Sequence, residues 1–365
     1  FDAFGHVKMV QGDTLDLVGD MLLYNGLDQL ARVRHNVVMT HRESKLYTDS
    51  LDYDRLYELG YFFEGGKLVD KDNVLTSDWG QYSPPTRQAV FNYNVKLENP
   101  KFTLISDTLN YNTLTSMAEI VGPSNIDSGD NHIYSESGFY NTQTEEAILL
   151  DRSIVTNKGR KMVGDSLYYD SKSGVGEGFR NVVYTDEVNK NMLTGNYCYY
   201  KDSTGYSMAT DSAVAIDYSQ RDTMYMHADT FKVYTFYMDT DSMYREVRGY
   251  HKVRSYRMDV QSVCDSLVFD SRDTCVTMYR DPIVWNGGQQ VLGEVIKVYL
   301  NDSTIDRIHV IDQTLSVERI DSVHYNQVAG KEMTSYFRDG ELYETWVNGN
   351  VYVEYYMFDD DSLMI

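Results

Sequence analysis

The stretch Leu46-Tyr47-Thr48-Asp49-Ser50-Leu51-Asp52-Tyr53 decides the fold, because close copies of it recur along the chain. The acidic residue of this phrase recurs every 29 residues, at Asp20, Asp49, Asp78, Asp107, Glu136 and Asp165. A tyrosine follows each acid by four residues, and an apolar residue precedes each acid by three. Self-similarity at a fixed period of this length indicates stacked copies of one supersecondary unit. The sequence therefore predicts a repeat protein.

The side chains of the phrase alternate as in a β-strand, except at the acid. Leu51 and Tyr53 share one parity, whereas Leu46 and Thr48 share the other, so the period of two breaks near Asp49. A corner or bulge at the acid would restore a single inward face. The residue after each tyrosine is a turn former, namely Asn25, Asp54, Ser83, Asn112, Asn141 or Asp170. These patterns predict an all-β solenoid of antiparallel strands.

The repeat loosens in the second half of the chain. After Asp165 the equivalent position falls at Asn196 and then at Asp229, which are spacings of 31 and 33 residues. We expect a regular array over residues 1–236, followed by degenerate repeats over residues 237–365 that continue the stack.

Composition excludes several classes of function. The net charge of -22 repels nucleic acid, so no nucleic-acid partner is expected. No apolar run approaches the ~20 residues that cross a bilayer. The histidines and the cysteines Cys198, Cys264 and Cys275 show no metal-ligand spacing, so neither a metal nor a cofactor is expected. The first residue is Phe1, which suggests that a signal peptide has been removed.

Two copies of the phrase carry a family resemblance: Thr48-Asp49-Ser50-Leu51-Asp52-Tyr53-Asp54 and Gly164-Asp165-Ser166-Leu167-Tyr168-Tyr169-Asp170. With Asn36-Val37, Asn94-Val95 and Asn350-Val351 between copies, the chain resembles the OstA-like family of LptA-type lipopolysaccharide-transport proteins. The resemblance implies an open antiparallel β-jelly-roll, likened to a folded taco, in the periplasm of a Gram-negative envelope. It also implies that an apolar crease shields acyl chains of lipopolysaccharide on the way to the outer membrane. The family has no catalytic residues, so the resemblance implies no enzyme.

The repeat columns supply the candidate lipid-contacting residues. A trough between two sheets that is lined by Leu, Ile, Met and Tyr favours lipopolysaccharide or lipid A as the ligand, because apolar grooves rarely persist without a ligand or partner. The predicted lining consists of Leu17, Leu22, Tyr24, Leu46, Leu51, Tyr53, Leu75, Tyr82, Leu104, Leu109, Tyr111, Ile133, Tyr140, Met162, Leu167 and Tyr169.

The ends of the stack predict a protein partner. An open stack ends in two unpaired strand edges, which are templates for pairing. The segment Val351-Tyr352-Val353-Glu354-Tyr355-Tyr356 carries neither Pro nor Lys to blunt its edge. We therefore expect docking onto other β-jelly-roll modules of the envelope by edge-strand addition.

Several motifs admit a second interpretation. Gly164-Asp165-Ser166-Leu167 with Asp321 and His324 matches the triad of GDSL-type hydrolases, but Asp165 falls in the repeat column and is predicted to form a corner. The tyrosine column could stack on glycans, although wall packing with the hydroxyls reaching water is favoured. The acidic column could bind calcium, but the acids come singly. The basic cluster around Arg248, Lys252 and Arg254 could contact lipid phosphate or sugar, although an outward strand face is favoured.

Two further function classes remain open. A non-catalytic structural or adhesin-like β-solenoid would use the same inward Leu and Tyr columns, and so would a β-helix that acts on polysaccharide. The polysaccharide enzyme would need a clustered acid and base, which the sequence does not contain.

Overall fold

The computed structural model describes residues 1–219, 222–238, 240–258, 260–301, 304–338, 340–359 and 362–364. Most of these residues lie in β-strands, and the part of the chain that the structure describes contains no α-helix, only a 3-10 helix at Asp202–Thr204. No helix in it is long and apolar enough to cross a bilayer. The paired strands run antiparallel. The predicted all-β antiparallel fold is confirmed.

The chain divides into two compact units, residues 1–178 and residues 179–365, which we call unit 1 and unit 2. The sequence predicts a change from regular to degenerate repeats at residue 237. The division into units does not test the regularity of the repeats, so this stays a prediction. The first fourteen strands are β1 (Asp2–Gln11), β2 (Leu15–Asn25), β3 (Leu30–His41), β4 (Ser44–Asp54), β5 (Leu59–Phe62), β6 (Gly66–Asp70), β7 (Asn73–Ser77), β8 (Trp79–Ser83), β9 (Gln88–Asn99), β10 (Phe102–Asn112), β11 (Met117–Ser128), β12 (Asn131–Asn141), β13 (Glu146–Asn157) and β14 (Arg160–Asp170).

The strands that follow are β15 (Val175–Asp186), β16 (Asn191–Lys201), β17 (Tyr206–Asp217), β18 (Met224–Phe236), β19 (Tyr244–Tyr256), β20 (Val260–Asp270), β21 (Cys275–Tyr279), β22 (Ile283–Asn286), β23 (Gln289–Leu292), β24 (Val295–Leu300), β25 (Ile305–Arg319), β26 (Tyr325–Arg338), β27 (Glu341–Asn348), β28 (Tyr352–Glu354), β29 (Met357–Asp359) and β30 (Ser362–Met364).

The 29-residue period is the length of two strands and their two turns. β2 and β3 have 11 and 12 residues, and turns of four and two residues follow them. β4 ends at the predicted turn residue Asp54, whose side chain accepts hydrogen bonds from the backbone N–H groups of Leu56 (2.9 Å) and Tyr57 (3.1 Å). Asn112, Asn141 and Asp170 do the same after their strands. The predicted turns are confirmed, and short polar side chains hold them.

Each long strand of unit 1 bends near its middle. In the β2–β3 pair the pairing register shifts between Val18 and Met21, which places Asp20 in the bend. Equivalent shifts occur in the pairs β9–β10, β11–β12, β12–β13 and β13–β14. The predicted corner at the acidic column is confirmed.

The backbone conformation that makes the bend lies on alternate strands, and the repeat pattern did not predict it. Two consecutive residues of β3, His35 (φ 62°) and Asn36 (φ 53°), are left-handed, as are Tyr93 (φ 63°) and Asn94 (φ 53°) in β9. This region costs a residue other than glycine roughly 1–2 kcal/mol, although asparagine tolerates it. The Asn-Val pairs that begin at Asn36 and Asn94 were the sequence signal that could have indicated this conformation.

The acidic column stabilises these left-handed pairs from the neighbouring strand. The Asn36 side chain donates to Asp20 Oδ2 at 2.7 Å, and the Asn94 side chain donates to Asp78 Oδ2 at 2.7 Å. At a later corner Arg152 bonds to Asp165 at 3.1 Å. The acids therefore form hydrogen bonds between adjacent strands along the bend.

The bend folds the sheet of unit 1 into two facing layers. We call layer A the strand halves that carry the column of Leu17, Leu46, Leu75 and Leu104, and layer B the halves that carry the tyrosine column. Across the interior, the sulfur of Met39 in layer A lies 3.3 Å from where a Cβ on Gly60 of layer B would be. The rings of Phe102 in layer A and Tyr140 in layer B are 4.7 Å apart, edge to face. The two layers are therefore in direct contact.

Large and small residues alternate along layer B. Cross-strand neighbours form the row Tyr24, Ala31, Tyr53, Gly60, Tyr82, Ala89, Tyr111, Ala118, Tyr140, Ala147 and Tyr169. A methyl group or a hydrogen between two rings leaves room for both, so the row packs without strain.

Replacing Asn94 by valine should destabilise unit 1 by about 1–3 kcal/mol, because a β-branched residue is strained at positive φ and loses the bond to Asp78. Calorimetry would measure this as a lower melting temperature. The control is Asn125→Val in the extended part of β11, which should change the melting temperature little. Equal effects of the two substitutions would contradict the corner interpretation.

Candidate functional site

All sixteen residues predicted to line a trough lie on the inner faces of unit 1 strands. Thirteen are buried, whereas Tyr24, Met162 and Tyr169 are partly buried. Leu104 and Leu109 are 0% exposed. In this conformation the residues form the hydrophobic core between the layers, and a ligand would reach most of them only if the layers separated.

Buried polar side chains close the mouth of unit 1, opposite the bend. Asp70 and Asn73 lie at the margin of layer A, and Tyr111 and Thr142 lie at the margin of layer B. The Tyr111 hydroxyl donates to Asp70 Oδ2 at 2.8 Å, and Asn73 Nδ2 donates to the Tyr111 hydroxyl and to Thr142 Oγ1, each at 2.9 Å. Ser44 also donates to Asp70 at 2.7 Å. We call these contacts the polar seam, and separating the layers would leave its buried groups without partners.

The polar seam continues towards the start of the chain at His41. Its Nδ1 lies 2.7 Å from the hydroxyl of Tyr82, which is 3.4 Å from Thr113 Oγ1. Burial, with a smaller effect of the positive charges of Arg87 and Arg42, lowers the pKa of His41. Two further contacts cross the mouth: Lys71 with Ser116, and Lys101 with Glu145.

The prediction that the tyrosine hydroxyls reach water is wrong for the middle of the column. The hydroxyls of Tyr82 and Tyr111 bond to the polar seam. The Tyr53 hydroxyl is buried with no hydrogen-bond partner among the described residues, and burial raises its pKa to about 12. The sequence pattern shows the tyrosines but does not show that layer A brings His41 and Asp70 against them.

In the strands β16 to β20 of unit 2, several inner positions equivalent to the leucine and tyrosine columns are less buried. Leu193 and Met226 occupy the positions of the unit 1 leucine column, and Tyr200, Val233 and Phe269 occupy those of the tyrosine column. All five are partly exposed. Buried residues form the floor between them: Cys198, Ala209, Ala213, Ala228, Phe231 and Val253. We call this arrangement, from β16 to β20, the groove.

Small side chains account for the groove. In β9 of unit 1 the inner residues around the left-handed pair are Phe91, Val95 and Leu97, all at most 1% exposed. The equivalent residues around the left-handed pair of β17 are Ala209, Ala213 and Ala215. Because alanine cannot reach across the interior, the facing walls keep apolar surface in contact with solvent.

Two free cysteines lie at the groove floor. Cys198 and Cys264 are both buried. Burial raises the pKa of Cys198 to about 11 and the pKa of Cys264 to about 12, so both stay protonated at neutral pH. These thiols therefore contribute apolar surface to the floor.

Each part of the hydrolase-like motif has a structural role. Ser166 pairs with Leu150 in the sheet, and Asp165 is at the corner. Asp321 and His324 bond to each other at 2.7 Å within one turn, and this bond lowers the pKa of Asp321 to about 2.

The basic cluster lies on β19, on the side of the strand that faces away from the groove. Val253 is buried, whereas Lys252 and Arg254 are exposed, which confirms an outward face for the basic cluster. Among the described residues, no group of three or more His, Cys, Asp or Glu side chains is placed to hold a metal ion.

Comparison with known proteins identifies the repeat of the first unit. A family model described as OstA-like protein matches residues 1–107 and again residues 102–165. The resemblance carried by the repeat phrase is thereby confirmed. A search of the curated proteins finds no match.

Acidification should weaken the polar seam through His41. The pKa of His41 in the folded state is lowered from 6.5. The neutral imidazole therefore stabilises the folded protein above about pH 6.5, and this contribution is lost as the pH falls towards the lowered pKa. We expect the melting temperature of unit 1 to fall between about pH 7 and pH 5, and to fall less in His41→Gln, which does not titrate. The exposed His132 supplies the control His132→Gln, which should keep the full pH dependence. Identical pH profiles of His41→Gln and the unchanged protein would refute the assignment.

Proposed function

Since residues 1–165 belong to the OstA-like family, we propose that this protein is a periplasmic, non-enzymatic lipid-binding scaffold. It shields acyl chains of lipopolysaccharide or its lipid A during transport to the outer membrane. The observation that carries the proposal is the groove of unit 2, whose walls expose apolar side chains along five successive strands. Water-exposed apolar grooves of this kind typically mark binding sites.

Apolar burial dominates the energetics of this binding. About a dozen methylenes transferred from water into the groove would contribute on the order of 10 kcal/mol, at ~0.8 kcal/mol each, before the cost of association. The net charge of -22 repels lipid phosphates, but screening limits this repulsion to a distance of about 8 Å at physiological salt. The acyl chains therefore outweigh the charge of the headgroup.

Unit 1 favours a structural role in this conformation. Its interior is filled, and buried side chains bond across its mouth at Asp70, Asn73 and His41. Lipid could pass along its interior only after these bonds break, whereas the apolar walls of the groove in unit 2 are already partly exposed. The structural alternative is thus supported for unit 1, and lipid binding for unit 2.

The C-terminal edge supports assembly with other β-jelly-roll modules. β28 pairs with β26, and no second partner strand exists for it among the described residues. Val351, Tyr352 and Val353 at this edge are each more than half exposed. Strand addition here would cover these apolar side chains and satisfy the free backbone groups.

Two adjacent tyrosines of β16 provide a matched test. Tyr200 faces the groove and Tyr199 faces outwards. Tyr200→Asp places a carboxylate against acyl chains and should reduce lipid loading at least ~10-fold, since burying an unpaired charge costs several kcal/mol. The same change at Tyr199 should leave loading intact. Native mass spectrometry of co-purified lipid, with displacement of a fluorescent lipid A analogue, measures both. Equal loading by the two proteins would exclude the groove as the site.

Larger apolar side chains in the groove test the proposed lipid site without introducing a charge. Copying β9 into β17 by Ala213→Val and Ala215→Leu should bring the layers together, raise the melting temperature and reduce lipid loading. The control Leu109→Ile in the closed core of unit 1 should leave loading unchanged. A filled protein that melts higher yet loads lipid normally would place the lipid elsewhere.

A further inference from the structure

In unit 2 we use the name layer A for the strand halves that carry Leu193 and Met226. Among the described residues, two outward rows of these strand halves contain no carboxylate. Cross-strand neighbours form two rows over nine strand segments of unit 2. The first row consists of three glutamines and six apolar or aromatic residues: Met192, Ile216, Tyr225, Tyr256, Trp285 and Val317. The second row contains Arg254 and His227 among seven uncharged residues. We call these two rows the outer face.

In unit 1 the row equivalent to the second row, from Val18 to Val163, also contains no carboxylate, but the row equivalent to the first row is charged. There the row equivalent to the first row runs from Asp16 to Lys161 and includes Lys45, Glu98 and Asp127. The fold and the strand propensities are alike in the two units, so neither requires the first row to be uncharged. In a chain with 55 acidic and 33 basic residues, this depletion needs another cause.

We propose that the outer face packs against the outer face of a second copy of this chain, forming a two-fold dimer through unit 2. Burial against a charged surface would leave charges without partners, so the covering surface must itself be poor in charge. The outer face of another copy meets this requirement, and a two-fold axis brings identical patches together. The outer face is rich in Tyr, Trp and Met, contains an Arg and has no carboxylate among its described residues, which is typical of interface cores.

The size of the outer face predicts a weak dimer. Nine segments spaced ~4.8 Å apart make rows about 38 Å long. With a width of roughly 12 Å, the dimer would bury roughly 900 Å² in total, which is below the about 1,000 Å² of stable interfaces and in the range of weak ones. Tyr225 is 46% exposed and Tyr256 is 52% exposed, so both are available for contact. We expect dissociation constants in the range of ~1–100 µM.

Sedimentation velocity of the delipidated full chain, from about 1 to 200 µM, tests the proposal. A monomer–dimer equilibrium is expected, and Tyr256→Glu should raise its dissociation constant at least ~10-fold by placing a carboxylate in the interface. The matched control is Tyr47→Glu, which changes a tyrosine that is 40% exposed on the outward face of unit 1 and should have no effect. Added salt should not weaken the dimer, because no ion pair holds it.

Two variants separate this dimer from other modes of association. Tyr352→Pro disrupts the C-terminal edge and should leave the dimer intact. Tyr200→Asp disrupts the groove and should dimerise normally, so failure of lipid binding and failure of dimerisation are distinguishable. The proposal is wrong if the protein is monomeric at all concentrations, if Tyr256→Glu dimerises like the unchanged protein, or if Tyr352→Pro alone abolishes association.

Discussion

The bend in each strand is the constraint on which the rest of this structure depends. Two successive left-handed residues, such as Tyr93 and Asn94, turn a strand from one layer into the other. An acid on the next strand, such as Asp78, holds them in place. Without the bend a strand would present Leu46 and Leu51 on opposite faces, and no shared interior could form. The leucine column, the tyrosine column and the mouth between the layers all follow from this one local conformation.

What fills the interior then decides what each unit can do. In unit 1, β9 places Phe91, Val95 and Leu97 beside its bend, and the layers meet so closely that polar side chains bond across the mouth. The alanines of β17 take those positions in unit 2, and the walls stay accessible. The same backbone arrangement therefore gives a closed core in unit 1 and a groove over β16 to β20 of unit 2, depending on only a few methylene groups per strand.

Much of the fold was predictable from the sequence, because the repeat reports local requirements. The acidic column predicted the corner, the residue after each tyrosine predicted the turn, and the phrase itself indicated the family. The left-handed pair at His35 and Asn36 was missed, since a residue at positive φ leaves only a weak compositional signal. The functional assignment of the columns was harder, because Leu104 in a filled interior and Leu193 in an open one look alike in sequence. Only the opposite layer, contributed by residues distant in the chain, distinguishes them.

The repeat of two strands also fixes how such a protein can change in length. Adding one 29-residue copy to unit 1 would add two strands and extend the array by ~9–10 Å, without altering its cross-section. Deleting a single strand would instead set tyrosine against tyrosine in layer B, where the rings need an alanine or glycine between them. Evolution can therefore lengthen or shorten this array only in whole repeats, so the distance that it spans varies in fixed steps.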